Sequence, residues 1–204
     1  MASDYLQKHG DVESAAKAFI NMQVLKCTTS GFLTGFGGII TLPIVVPANI
    51  SSVLYVQIRM IACLAHMGGF DTSCDQVQSL VYACLAGVSI DQLVKGVGIK
   101  FGVKFTDAMV KKIPGKVLTK INKLVGFRFV TKAGTKGLVN LWKIVPVVGA
   151  VIGGGFDLAE TKIIAARAYK MFIEKDISVL SSSEVGEETD YEKHEIGADS
   201  IVEE

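Results

Sequence analysis

Cys63 and His66 lie three residues apart, a spacing that puts both side chains on one face of a helix and begins a zinc site. Such a site needs three or four ligands, and its cysteines typically pair two to four residues apart. Cys27, Cys74 and Cys84 have no such neighbour, and His9 and His194 lie near the two ends. The expectation is of reduced, mostly buried thiols and a half-exposed histidine, with no metal. Gly31, Gly35, Gly37 and Gly38 crowd together as in a phosphate loop. A P-loop, however, needs Gly-Lys-Ser/Thr to bring a cation to the phosphates, and Ile39-Ile40-Thr41 follows instead. Gly96-Val97-Gly98 lacks the third glycine of a dinucleotide fingerprint. No Gly-x-Ser-x-Gly elbow and no His-Glu-x-x-His pair is present, so the sequence nominates neither cofactor nor catalytic residue. Glycines four apart (Gly31/Gly35, Gly149/Gly153) serve close helix approach instead.

Arg59 interrupts the apolar run Val53-Leu54-Tyr55-Val56-Gln57-Ile58-Arg59-Met60-Ile61, where an isolated guanidinium is costly. It must snorkel, face a polar cleft or find a carboxylate. Tyr55 and His66 fall on its face of the helix, at i−4 and i+7. The natural partner is Asp157, isolated behind Gly153-Gly154-Gly155-Phe156. The sequence predicts that Arg59 and Asp157 form a buried polar pair where two apolar hairpins meet.

Charge is segregated along the chain. The net charge is only +1, yet residues 181–204 hold nine acids against the single base Lys193, a net −8. The preceding 180 residues carry 20 bases against 11 acids, a net +9. Between Lys95 and Lys143 lie twelve Lys/Arg and the one acid Asp107. Lys111, Lys112, Lys116, Lys120, Lys123 and Arg128 flank apolar helical positions, an arrangement suited to anionic lipid. Nucleic acid rewards a basic belt too, through counterion release. Phe101, Phe105, Phe127, Phe129 and Trp142 mostly take half-buried helical positions, and no nucleic-acid motif accompanies them, so lipid is preferred.

The elements that position these residues read as helices throughout. Asp11 can cap a first helix from Val12 to about Lys26. Cys27 to Ile58 then holds no charged residue over 32 positions, more than the roughly 20 needed to cross a bilayer. Its glycines, with Pro43 and Pro47, predict a broken or hairpin arrangement, and a long helix from Pro47 to about Met67 stopped by Gly68-Gly69. Thr72/Asp75 and Ser89/Gln92 have capping-box spacing for two further helices, the first ending by Gly87. From Lys116 to Val125, the residues Val117, Leu118, Ile121, Leu124 and Val125 share one face, and Lys116, Lys120 and Lys123 the other. Gly115 precedes that helix and Gly126 follows it. A second apolar run spans Ile144 to Phe156, and a last helix reaches about Lys175. After Ser181 the composition is that of a disordered acidic tail.

The sequence has 204 residues, 50% of them hydrophobic and 20% charged, with 21 glycines and a mean hydropathy of +0.42. Those values exclude wholesale disorder and a disulfide-dense miniprotein, and they leave membrane association open. No basic segment followed by an apolar one marks Met1 to Lys8 as a secretory signal. The expected organisation is all-α. Residues 1–26 form an N-terminal helix, 27–180 a single helical domain of packed hairpins with glycine-rich apolar segments, and 181–204 the tail.

Three blocks resemble the EcsC family. The first is Gly35-Phe36-Gly37-Gly38-Ile39-Ile40-Thr41-Leu42-Pro43 with Pro47-Ala48-Asn49 and Tyr55 to Ala62. The second is Lys111-Lys112-Ile113-Pro114-Gly115-Lys116-Val117-Leu118 with Ile121-Asn122-Lys123 and Val125-Gly126-Phe127-Arg128. The third is Val145-Pro146-Val147-Val148-Gly149 with Val151 to Asp157. The resemblance implies a bacterial, mostly helical protein in an ABC transporter or envelope context. It brings no catalytic residues. The Cys63/His66 pair and the acidic tail are no part of that family pattern.

The sequence therefore leads to a non-enzymatic helical protein at the cytoplasmic face of the membrane. Its expected partners are an anionic lipid surface and a membrane protein. The alternatives are a soluble protein–protein interaction module, or an enzyme with a polar cleft around Arg59, Asp157 and His66.

Overall fold

The computed structural model describes residues 1–35, 42–96, 98, 104–134 and 158–181. Its elements are helices, and among the described residues there is no strand. In chain order they are α1 (Ala2–His9), α2 (Val12–Gly35), α3 (Leu42–Met67), α4 (Asp75–Ala86), α5 (Asp91–Lys95), α6 (Asp107–Val110) and α7 (Gly115–Gly134). Helix α8 covers residues 158–168, continues as a π-turn over Tyr169–Ile173, and is followed by a 3₁₀ turn, Ile177–Leu180.

Local chemistry accounts for most of the boundaries. Gly10 closes α1 at a left-handed φ of 77°, a conformation cheap only for glycine. Asp11 starts α2, its Oδ1 accepting the Ser14 N–H at 2.8 Å. Helix α2 then runs past Lys26 to Gly35, further than the composition predicts. Helix α3 likewise starts at Leu42, upstream of Pro47. Pro43 falls in the first turn, where its missing N–H has no intrahelical acceptor anyway, so Pro47 removes only one ladder bond. Helix α3 ends at Met67, before the glycine pair, as predicted.

The capping-box reading of Thr72 does not hold. Helix α4 begins at Asp75 behind Cys74, with no side-chain cap. Asp71 organises that turn instead, its Oδ1 accepting the Ser73 N–H at 3.1 Å and the Ser73 hydroxyl at 2.5 Å. Ile90, rather than Ser89, occupies the N-cap position of α5. Helix α7 continues through Gly126 to Gly134, because one glycine inside a helix costs only about 1 kcal/mol. The last helix has stopped by Lys175, which takes a left-handed φ of 60°. Its carbonyl accepts the Phe105 N–H at 2.7 Å.

Helix α3 is the hub, packed against α1, α2, α4 and the π-turn, while α7 packs on α4 and α5. The core joins Met60, Ile61 and Leu64 of α3, Leu80 and Cys84 of α4, and Leu118 and Ile121 of α7. At one end Phe70 meets Phe172 edge-on at 5.3 Å and Phe105 at 5.7 Å. Gly68 is needed there for space: a Cβ on it would lie 2.1 Å from the Phe172 carbonyl oxygen. Among the described residues, no helix is long and apolar enough to cross a membrane.

Candidate functional site

Helix α7 divides as its sequence predicts. Leu118, Ile121 and Val125 are buried, Val117 and Leu124 half-buried, and Lys116, Lys120 and Lys123 exposed. At 100° per residue, Lys116, Lys120, Lys123 and Phe127 fall within roughly 60° of arc. Phe127 is 54% exposed, an aromatic side chain at the end of a lysine stripe. Lys112 is exposed just before the helix, and Arg128 is half-buried beside it. Among the described residues, Lys112, Lys116, Lys120 and Lys123 make no ion pair. Three lysines and one aromatic ring thus line one face of α7, Lys112 is exposed ahead of it, and none of the four lysines is bonded to a described carboxylate.

Lys111 differs from these four lysines in being ion-paired, though it too is exposed. Its Nζ sits 3.0 Å from Asp107 and 3.2 Å from Asp71. Asp107 Oδ1 also accepts the Asp71 N–H at 2.9 Å, tying α6 to the turn after α3. Hydrogen bonds from the Ser73 hydroxyl and N–H, then from Lys111, hold the Asp71 carboxyl down at about 2. The Asp71 N–H and Lys111 lower Asp107 as well, and Asp107 then Asp71 raise Lys111. Asp107, the lone acid of the basic belt, therefore locks one lysine in place. His66, Thr72 and Ser73 join these two carboxylates around a shallow open recess. Every described carboxylate there is already bonded, so the cluster acts as a staple.

Arg59 is exposed, not buried. It shares the outer face of α3 with Tyr55, 64% exposed, and exposed His66, so the three do form one stripe, turned outward. The reason is competition between faces: Gln57, Met60, Ile61 and Leu64 bury the opposite side, and the guanidinium stays in water. Asp157 lies outside the described residues, and the predicted pairing with it lies there too. The polar contact found between α3 and α8 is Gln57 Nε2 donating to Thr161 Oγ1 at 3.0 Å, both side chains buried. Gln57 lies on the face of α3 opposite Arg59, so this contact is a different one from the predicted pair, and nothing in the sequence distinguishes Gln57 from the other neighbours of Arg59. A second link, Arg167 Nη1 donating to the Cys84 carbonyl at 2.9 Å, places a cation at the C-terminus of α4, where the helix dipole favours it. No local sequence signal marks it.

All four cysteines are free, Cys27 and Cys84 buried, Cys63 and Cys74 partly so. Burial pushes the Cys84 thiol up to about 12 and raises Cys63. Among the described residues no three His, Cys, Asp or Glu side chains gather as a metal site. Residues 36–41 of the first apolar segment, the second apolar run and the acidic tail lie outside the described residues, apart from Ser181. Compared with family models, curated proteins and solved structures, the chain matches none.

Proposed function

We propose that this chain is a non-enzymatic helical protein that docks on anionic membrane surface through the exposed face of α7. The observation that carries the reading is the stripe of Lys116, Lys120 and Lys123 ending in exposed Phe127, backed by a buried apolar face. Each lysine near anionic headgroups contributes about 1 kcal/mol, and an aromatic ring partitions into the interface. Lys112 adds a fourth charge, so the electrostatic attraction reaches about 4 kcal/mol, roughly a thousandfold in partitioning. The likeness to EcsC proteins supports a place at the cytoplasmic face, in a transporter or envelope setting with a membrane-protein partner. Of its three blocks, only the one around α6 and α7 lies wholly among the described residues.

The test is flotation of purified protein with phosphatidylglycerol-containing vesicles. Wild-type chain is expected to float, and the quadruple variant Lys112→Glu, Lys116→Glu, Lys120→Glu, Lys123→Glu to stay at the bottom. Equal flotation of both overturns the lysine-face reading. The outward stripe of Tyr55, Arg59 and His66 supports a second reading, a soluble module that docks a protein partner through α3. A monodisperse chain that ignores vesicles of every composition decides for it.

A further inference from the structure

We propose that the C-terminal segment 182–204 lies against the lysine face of α7 in its own chain and competes with lipid for it. The competition rests on the membrane reading above. The contact itself does not.

Charge complementarity is the first argument. Glu184, Glu187, Glu188, Asp190 and Glu192 put five carboxylates within nine residues, and nine acids face one base over the segment as a whole. On the other side stand Lys116, Lys120 and Lys123, exposed and, among the described residues, without a carboxylate partner. From Lys116 to Lys123 the helix rises about 10 Å, a distance that roughly three extended residues span. The acidic run thus offers a carboxylate to each lysine.

Position is the second argument. The chain leaves the described core beside the right element: the Leu180 carbonyl accepts the Ile90 N–H at 3.0 Å, at the start of α5, and α5 packs against α7. The following 23 residues reach about 75 Å at full extension, against a length of about 30 Å for α7. Length sets no obstacle. The lysines are exposed, so the contact is screened beyond a Debye length of about 8 Å at physiological salt and yields to competing anions. The contact is therefore reversible.

The experiment is carbodiimide coupling of the full-length chain without lipid, which joins a carboxylate to an amine only where they touch, followed by peptide mapping. Lys111–Asp107 and Lys17–Glu13 are built-in controls for a folded, reactive sample. The expected products join acids of 184–192 to Lys116, Lys120 or Lys123 within one chain, and disappear at high salt. Control links without these products overturn the proposal, as do tail links found only between two chains. A parallel flotation compares wild type with Glu184→Gln, Glu187→Gln, Glu188→Gln, Asp190→Asn and Glu192→Gln combined. Vesicle partitioning is expected to rise about tenfold, the effect of freeing one to two lysines. Unchanged partitioning overturns the competition. If the intrachain links form while neither protein floats, the contact stands and the membrane reading fails.

Discussion

Two charged residues show how differently a single side chain is settled by its surroundings. Arg59 sits in an apolar stretch of sequence yet projects into water, so it has no desolvation to offset. Arg59→Met is expected to change stability by no more than about 0.5 kcal/mol in chemical denaturation, as for an exposed site. A loss of about 3–5 kcal/mol would instead reveal a buried pair missing its partner. Asp71 is also exposed but is held by Ser73 and Lys111, which depress its carboxyl from 3.8 to about 2. A depressed acid stabilises the fold above its unfolded value and loses that contribution as pH falls through the folded one. The melting temperature is therefore expected to fall between about pH 4 and pH 2, and Asp71→Asn to flatten that part of the profile. An unchanged profile in the variant would remove Asp71 from the staple.

Among the helices, glycines that look alike in sequence do opposite things. Gly126 lies inside α7 with open space around it, so its only effect is the entropy lost on ordering a glycine. Gly126→Ala is expected to stabilise the chain by about 0.5–1 kcal/mol. Gly68 meets the Phe172 backbone, which cannot move aside like a side chain, and Gly68→Ala is expected to cost about 1–3 kcal/mol. Thermal melts of the two variants shifting in the same direction would contradict this assignment. Elements with a strong period are legible in the sequence, and α7 is the clearest because its lysines and aliphatics alternate at helical spacing. The starts of α3, α4 and α5 are less legible. A capping signature such as Thr72/Asp75 competes with other turns, and at Asp71 an Asx turn closed by Lys111 from the end of α6 wins.

Across the whole molecule, the charge asymmetry becomes a surface. The belt counted along the sequence is divided by the fold: Lys111 is paired with Asp71 and Asp107, while Lys112, Lys116, Lys120 and Lys123 have no carboxylate partner among the described residues. If this surface meets lipid, binding is expected to weaken steeply as salt rises and to be restored on dilution, because exposed charges are screened. Sedimentation with anionic vesicles across a salt series checks this. Binding that ignores salt would point to apolar insertion around Phe127 instead.

Local sequence sufficed for the helical class, the amphipathic division of α7, the cap at Asp11, and the stops at Gly87 and Gly68-Gly69. These depend on neighbours within a turn or two, where spacing and backbone preference are decisive. Long-range packing was needed to turn Tyr55, Arg59 and His66 outward while Gln57 reaches in to Thr161 across 104 residues. Packing also bound Lys111 to Asp71 and Arg167 to the Cys84 carbonyl. Periodicity assigns residues to the same face of a helix, but α3 carries apolar side chains on most of its circumference. Which arc is buried then depends on the surfaces that α1, α2, α4 and α8 bring to it, and those come from distant parts of the chain.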